Sequence, residues 1–231
     1  MTLQPAKVPR FLFPPWANKI PALSVAILGF VATAAGVLIW YYFSPKHTDV
    51  GYAPKQPVPY SHKLHAGDMA MDCRYCHINV DRSWHASIPA NQVCMNCHAN
   101  VKKDSPALTP VRRSAASGEA VPWLRIHKLG DYAYFPHHRH VNRGVGCVEC
   151  HGRIDQMVVV KQNQPLSMGW CLECHRDPAP HLRPLDKITQ MDWPVGDPTV
   201  PTGAAERAEY QRKLAAELKI APPTDCSRCH R

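Results

Sequence analysis

Cys73-Arg74-Tyr75-Cys76-His77 is the first of five copies of one pattern, Cys-x-x-Cys-His. The others are Cys94-Met95-Asn96-Cys97-His98, Cys147-Val148-Glu149-Cys150-His151, Cys171-Leu172-Glu173-Cys174-His175 and Cys226-Ser227-Arg228-Cys229-His230. Together they use all ten cysteines of the chain. The pattern is that of c-type haem attachment: two thiols add to the vinyl groups of one porphyrin, and the adjacent His stands beneath the iron as proximal ligand. A zinc ribbon spends two Cys-x-x-Cys pairs per metal, so five pairs fit it poorly. Neither zinc nor disulfide bonding requires a His after every second Cys. The reading predicts five covalently bound haem c groups, with His77, His98, His151, His175 and His230 as proximal ligands.

The 231 residues suffice for one or two ordinary domains, but they include 23 prolines, 12 glycines and only 5 phenylalanines. Proline interrupts both helices and ladders, so the expected fold is a multihaem cytochrome c: mostly irregular backbone, short α-helices around five haems, and one N-terminal transmembrane helix. The haems would supply the apolar core that the side chains lack. The net charge of +9 has an internal use, because each haem brings two propionates to be neutralised. No basic run interleaved with aromatics points to nucleic acid.

No charged residue occurs between Ile20 and Pro45, and Pro21–Phe43 is long and apolar enough to span a bilayer as a helix. Lys7, Arg10 and Lys19 precede it without an acidic residue, which places residues 1–19 in the cytoplasm and the chain from 46 to 231 on the periplasmic or extracytoplasmic side. Trp16 and the Trp40-Tyr41-Tyr42 cluster stand where interfacial aromatics belong. Ala32-Thr33-Ala34 would be a signal-peptide cleavage site, but the apolar run continues past it, so a retained single-pass anchor over 20–45 is expected.

Tyr60-Ser61-His62-Lys63-Leu64-His65 precedes Cys73, and Phe135-Pro136-His137-His138-Arg139-His140 precedes Cys147. Both read aromatic-x-His-x-x-His, and each leads into two attachment motifs. Two di-haem modules follow, about 60–98 and 135–175, joined by a connector over 103–134, with the last motif apart at 226–230. A low-spin haem needs a second axial ligand opposite the proximal His. His residues three apart lie on one side of a helical turn and can serve two haems, which makes His62, His65, His137 and His140 the candidate distal ligands. Met168 and His127 compete for the fifth place; a thioether there would raise the potential. His47, His85 and His181 read as surface residues, and His138 as facing propionates or solvent. Beyond residue 177 a Pro-rich stretch is expected to wrap the haem domain or a partner. A helix is expected over 204–220, with Tyr210, Leu214 and Leu218 as its apolar stripe, Glu209 pairing Lys213, and Pro222-Pro223 ending it.

Two longer stretches carry a family resemblance. One is Trp123-Leu-Arg125-Ile-His127-Lys-Leu-Gly-Asp131-Tyr-Ala-Tyr-Phe135-x-His137-x-x-His140, followed by Gly144-Val-Gly-Cys147. The other is Gln164-Pro-Leu-Ser-Met168-Gly-Trp-Cys-Leu-Glu-Cys-His175-Arg. With the anchor and the five motifs, they resemble the pentahaem cytochrome c subunit of alternative complex III, a cytochrome c3-like family, and, more distantly, multihaem subunits of quinone reductase complexes. The resemblance implies a membrane complex that oxidises menaquinol in a respiratory or photosynthetic chain. Its partners would be an iron–sulfur protein, a polytopic quinol-binding subunit and a mono-haem cytochrome c or another periplasmic carrier or oxidase. Gly130 stands where the family is expected to prefer Pro.

The chain itself would make no bonds; its task is to hold irons close and tune their potentials. A free-standing membrane-anchored quinol dehydrogenase would need a haem at the membrane surface, yet Cys73 begins 30 residues after Phe43. A multihaem reductase needs an open iron face, whereas the candidate ligands suffice to close every haem.

Overall fold

A computed structural model describes Pro14–His230. Lys7 and Arg10, two of the charges used above to orient the anchor, lie outside the described residues. The chain divides into two units, Met1–Thr48 and Asp49–Arg231.

In the first unit a 3-10 turn over Pro15–Lys19 leads into helix α1, Ile20–Tyr42, whose 23 residues would extend about 34 Å, enough to cross a hydrocarbon core. This helix is long and apolar enough to cross a membrane, and none of its residues is buried. Thr33 Oγ1 donates to Gly29 O at 2.8 Å, which satisfies its hydroxyl within the helix. A short helix α2, Pro45–Thr48, completes the unit.

The second unit is built of short helices on irregular backbone, with no strand among the described residues and two isolated bridges, Ala133↔His230 and Val145↔Leu182. Its helices are α3 (Cys73–Cys76), α4 (Asn91–His98), α5 (Thr109–Ser117), α6 (His137–Val141), α7 (Cys147–His151), α8 (Met168–Arg176), α9 (Ala204–Glu217) and α10 (Cys226–Cys229). Each Cys-x-x-Cys pair falls on a helical turn, which brings its two thiols onto one side. Local chemistry starts two of these turns: Asp72 accepts from Arg74 N ahead of α3, and Ser167 from Trp170 N ahead of α8.

Side-chain packing is concentrated in two places. Val58, Val111 and Val121 form one cluster, against which Cys94, Met95, Leu108 and Trp123 pack. It fastens connector helix α5 onto motif helix α4, and Ser114, buried between them, accepts from Asn91 Nδ2 and donates to Glu119 O. The other place is the strap 182–200, where Leu182, Ile188, Met191, Trp193 and Val200 are buried. The Pro-rich stretch thus packs on its own haem-motif unit. Cys147 N donates to Ile188 O and Arg183 N to Gly144 O, which lays the strap along α7.

Helix α9 ends at Glu217, before the expected Ile220, because Lys219 takes a left-handed φ of 51°. The stop is therefore local and does not wait for Pro222-Pro223. Glu209 pairs with Lys213 as expected, at 3.8 Å, and with Arg212 at 2.8 Å.

Candidate functional site

The aromatic-x-His-x-x-His repeat recurs as a repeated geometry. The Tyr60 ring stacks on His65 at 4.5 Å and meets His62 edge-on at 4.8 Å. Phe135 stacks on His140 at 4.4 Å and meets His137 edge-on at 4.8 Å. In both copies the aromatic wedge separates the two imidazoles, so they aim at different targets. His65 lies on a π-helical turn, Lys63–Asp68, and His140 on α6. Despite these different backbones, His65 Nδ1 meets Ser61 O at 2.9 Å and His140 Nδ1 meets Pro136 O at 3.0 Å, each carbonyl four residues upstream.

Those carbonyls fix the tautomer: Nδ1 carries the proton and donates, and Nε2 is left free to bind a metal. The same device operates at the motif histidines. His77 Nδ1 donates to Ser87 O at 2.7 Å, His98 to Val101 O at 2.9 Å, His175 to Pro223 O at 2.6 Å and His230 to Tyr132 O at 3.1 Å. His137 Nδ1 donates to Trp84 O at 2.9 Å.

Two histidine pairs face each other across a gap. The centres of His65 and His98 are 6.2 Å apart, and those of His140 and His175 are 6.1 Å apart. A first-row metal–imidazole bond of about 2 Å, with ring centres about 1 Å behind each nitrogen, puts two trans imidazoles roughly 6 Å apart. Both gaps therefore fit one haem iron. In each module the second His of the repeat faces the second attachment motif.

His127 is placed differently. Its ring centre is 4.4 Å from that of His151, too close for an iron between them, and its Nε2 lies 3.4 Å from His151 Nδ1. It stands where the carbonyls stand for the other motif histidines. Burial, then the neighbouring imidazoles of His127, His137, His77 and His62, pushes His151 down to about 3. Burial, then His77, His65 and His127, pushes His62 down to about 4. Both rings are thus neutral at physiological pH, the protonation state a metal ligand requires. His62 Nδ1 and His138 Nδ1 are buried without a partner. Met168 is the first residue of α8 and 60% exposed. A cavity of about 580 Å³ is lined by Cys147, Cys150, His151, His137, His127 and Trp170, and so lies on the third motif.

The motifs connect in the order second, first, third, fourth, fifth. Asn96 Nδ2 donates to Tyr75 OH at 3.2 Å, joining the second to the first. Cys73 and Cys147 are close neighbours, and Thr189 donates to Asp72 at 2.8 Å beside them, joining the first to the third. Burial, followed by the neighbouring Cys174, pushes Cys150 up to about 12 and ties the third motif to the fourth. Cys229 lies near Cys171, and Tyr134 N donates to Cys229 O at 2.8 Å.

A buried ionic group stands between the third and fourth motifs. Arg183, 3% exposed, donates to Glu149 Oε1 at 3.0 Å and to Gln190 O at 2.9 Å, and lies 5.2 Å from the Trp193 ring. His181, with a partly exposed side chain, meets the other Glu149 oxygen at 3.0 Å, and that bond raises its pKa. The buried Arg escaped the sequence reading; the aromatic before each His pair was read as part of the repeat, but not its packing between the two imidazoles.

Residues 133–231, which hold the third, fourth and fifth motifs, match the family model for cytochrome c7 and related cytochrome c. Over 124 residues, 53% of this chain, the sequence is 30% identical to the "Menaquinone reductase, multiheme cytochrome c subunit" of Nitratidesulfovibrio vulgaris. The match spans 57% of that relative's length. The C-terminal region is thus a cytochrome c7-like multihaem segment, helical and without strands among its described residues.

Proposed function

We propose that this chain is a membrane-anchored pentahaem cytochrome c that conducts electrons within a quinone-linked membrane complex of the alternative complex III type. The observation that carries this is the pair of facing imidazoles, His65/His98 at 6.2 Å and His140/His175 at 6.1 Å, each spaced for one iron next to a Cys-x-x-Cys pair. A relative named as a subunit of a menaquinone reductase supports the quinone link.

Haem c, when bound, supplies a one-electron iron couple. Cys73 and Cys76, Cys94 and Cys97, Cys147 and Cys150, Cys171 and Cys174, and Cys226 and Cys229 anchor it. His77, His98, His151, His175 and His230 would hold its proximal faces. His65 would close the second site and His140 the fourth; His62 and His137, the other members of the repeats, would serve two further sites. Because His127 Nε2 is engaged at His151, Met168 is the better candidate for the fifth. Protein ligands on both sides of the second and fourth sites would leave no open position for substrate there, which favours conduction over catalysis. The fixed Nδ1 protons would hold the imidazole rings in one orientation.

The partners would be an iron–sulfur subunit, a polytopic quinol-binding subunit and a mono-haem cytochrome or periplasmic carrier, with the haem unit outside the cytoplasm. The test is a mild-detergent native gel stained for haem, with mass spectrometry of the band and a pyridine haemochrome count. Five haems per chain in a large band containing an iron–sulfur subunit are expected. A band of this chain alone that menaquinol still reduces would make it a free-standing quinol dehydrogenase.

A further inference from the structure

Outside the anchor the positive charge is confined to one part of the chain. Residues 101–143 contain eight Lys or Arg against three Asp or Glu, a surplus of five. Residues 46–100 contain five against four, and 144–231 eleven against eleven. So five of the six surplus charges beyond residue 45 fall in 101–143, which takes in the connector. Elsewhere many basic residues are paired, as in Arg74–Asp72, Arg153–Asp155 and Arg212–Glu209. Among the described residues Lys102, Lys103, Arg112 and Arg113 have no ion-pair partner, and Lys102, Lys103 and Arg113 are exposed.

This basic group is built around the second attachment motif. Val101 O receives the His98 proton at 2.9 Å, and Lys102 immediately after it adopts a left-handed φ of 49°. Arg112 is pinned across the turn by Ser105 O and Thr109 Oγ1, both at 3.1 Å. Helix α5 itself is locked onto α4 through Val111 and Ser114. The second motif is also one end of the order in which the motifs touch. A terminal haem is where an electron must enter or leave, and clustered positive charge steers an oppositely charged partner toward it.

We propose that the loop 102–105 and helix α5 form a docking surface for a protein redox partner with an acidic face, which exchanges electrons with the haem of Cys94, Cys97 and His98. This rests on the electron-conducting reading above. The partner is a protein rather than an anionic bilayer because the charges are fixed to a packed helix over a redox site at one end of the order.

The test uses the full haem-loaded chain in neutral detergent and a reduced plant-type ferredoxin, a small acidic electron donor, followed by stopped-flow absorbance. The parent rate constant is expected to fall steeply with ionic strength. Lys103→Glu/Arg113→Glu is expected to lower it about ten-fold at low salt and to converge with the parent near 0.5 M salt, where the Debye length is roughly 4 Å. Arg212→Glu/Lys213→Glu, the same charge change on α9, is expected to stay within about two-fold of the parent. Equal effects from both double variants would show that net charge alone matters and overturn the proposal. A changed potential for one haem with an unchanged ferredoxin rate would assign the charges to propionates instead. Protection of Lys102 and Lys103 from acetylation in phosphatidylglycerol nanodiscs, but not in phosphatidylcholine ones, would assign the surface to lipid and also overturn it. Dithionite reduction of all five haems in every variant separates these outcomes from failure of the conducting reading, in which dithionite would leave the parent itself short of five reducible haems.

Discussion

At the scale of single residues, Tyr60 and Phe135 stack on His65 and His140, the imidazoles proposed to close two sites. Aromatic contacts of this kind contribute about 0.5–1.5 kcal/mol beyond burial. Phe135→Leu is expected to leave haem content unchanged while broadening the low-spin electron paramagnetic resonance signal of one haem, as His140 gains freedom about its ring axis. His65→Met should keep its haem low-spin and raise one midpoint potential, since thioether ligation favours the reduced iron. A spectroelectrochemical titration reads this, and an unchanged set of five potentials would remove His65 from the ligand set. The identity of the distal candidates was legible because His-x-x-His is a local spacing. Which motif each faces was not: the 6.2 Å gap between His65 and His98 depends on where α4 lands after a loop with no periodic signal. His127 shows the same limit, since its place at His151 Nδ1 is set by residues distant in sequence.

At the scale of elements, the junction between α7 and the strap behind it concentrates stability. A Cβ at Gly146, the residue before α7, would overlap the Arg183 guanidinium, and one at Gly144, where φ is 85°, would meet Arg183 O at 2.8 Å. Gly146→Ala should therefore destabilise by about 1–3 kcal/mol through overpacking. Arg183→Met leaves Glu149 with a single partner and should cost about 3–5 kcal/mol, read as a thermal midpoint lower by roughly 10 °C. His181 adds a pH dependence. Glu149 raises its pKa, so the stabilisation is complete below the unfolded value of about 6.5 and is lost as pH rises through the higher folded value. The side chain is 41% exposed, so the effect is small: a fall of roughly 1–3 °C in the thermal midpoint that His181→Gln abolishes. Short helices at the motifs were readable from the Cys-x-x-Cys spacing. A wrapping Pro-rich stretch beyond residue 177 was readable too, but its attachment to α7 was not, because it runs through backbone groups and one buried arginine, which leave no pattern in composition.

At the scale of the whole molecule, the buried hydrophobic residues are few: Val58, Val111, Val121, Met157, Leu182, Ile188, Met191, Trp193 and Val200. Val58, Val111 and Val121 lie beside α5, Leu182, Ile188, Met191, Trp193 and Val200 along the strap, and Met157 between the third and fourth motifs; none belongs to a motif. A core this thin cannot offset the ordering of so long an irregular chain without its prosthetic groups. Without haem attachment, the unit beyond Thr48 should therefore show little helical circular dichroism and be cut throughout by dilute protease, while α1 stays helical in detergent. A haem-free chain with a cooperative unfolding transition would contradict this. Composition had already suggested as much, through many prolines and few large apolar residues.

The carbonyl that orients His175 belongs to Pro223, 48 positions later, whereas those serving His77 and His98 lie within ten. As the chain is made, the carbonyls that orient His77 and His98 follow those residues closely, whereas the one for His175 comes only near the end. Biogenesis acquires a built-in schedule. A ribosome stopping at residue 200 would lose the fifth attachment motif and also leave His175 without its orienting carbonyl.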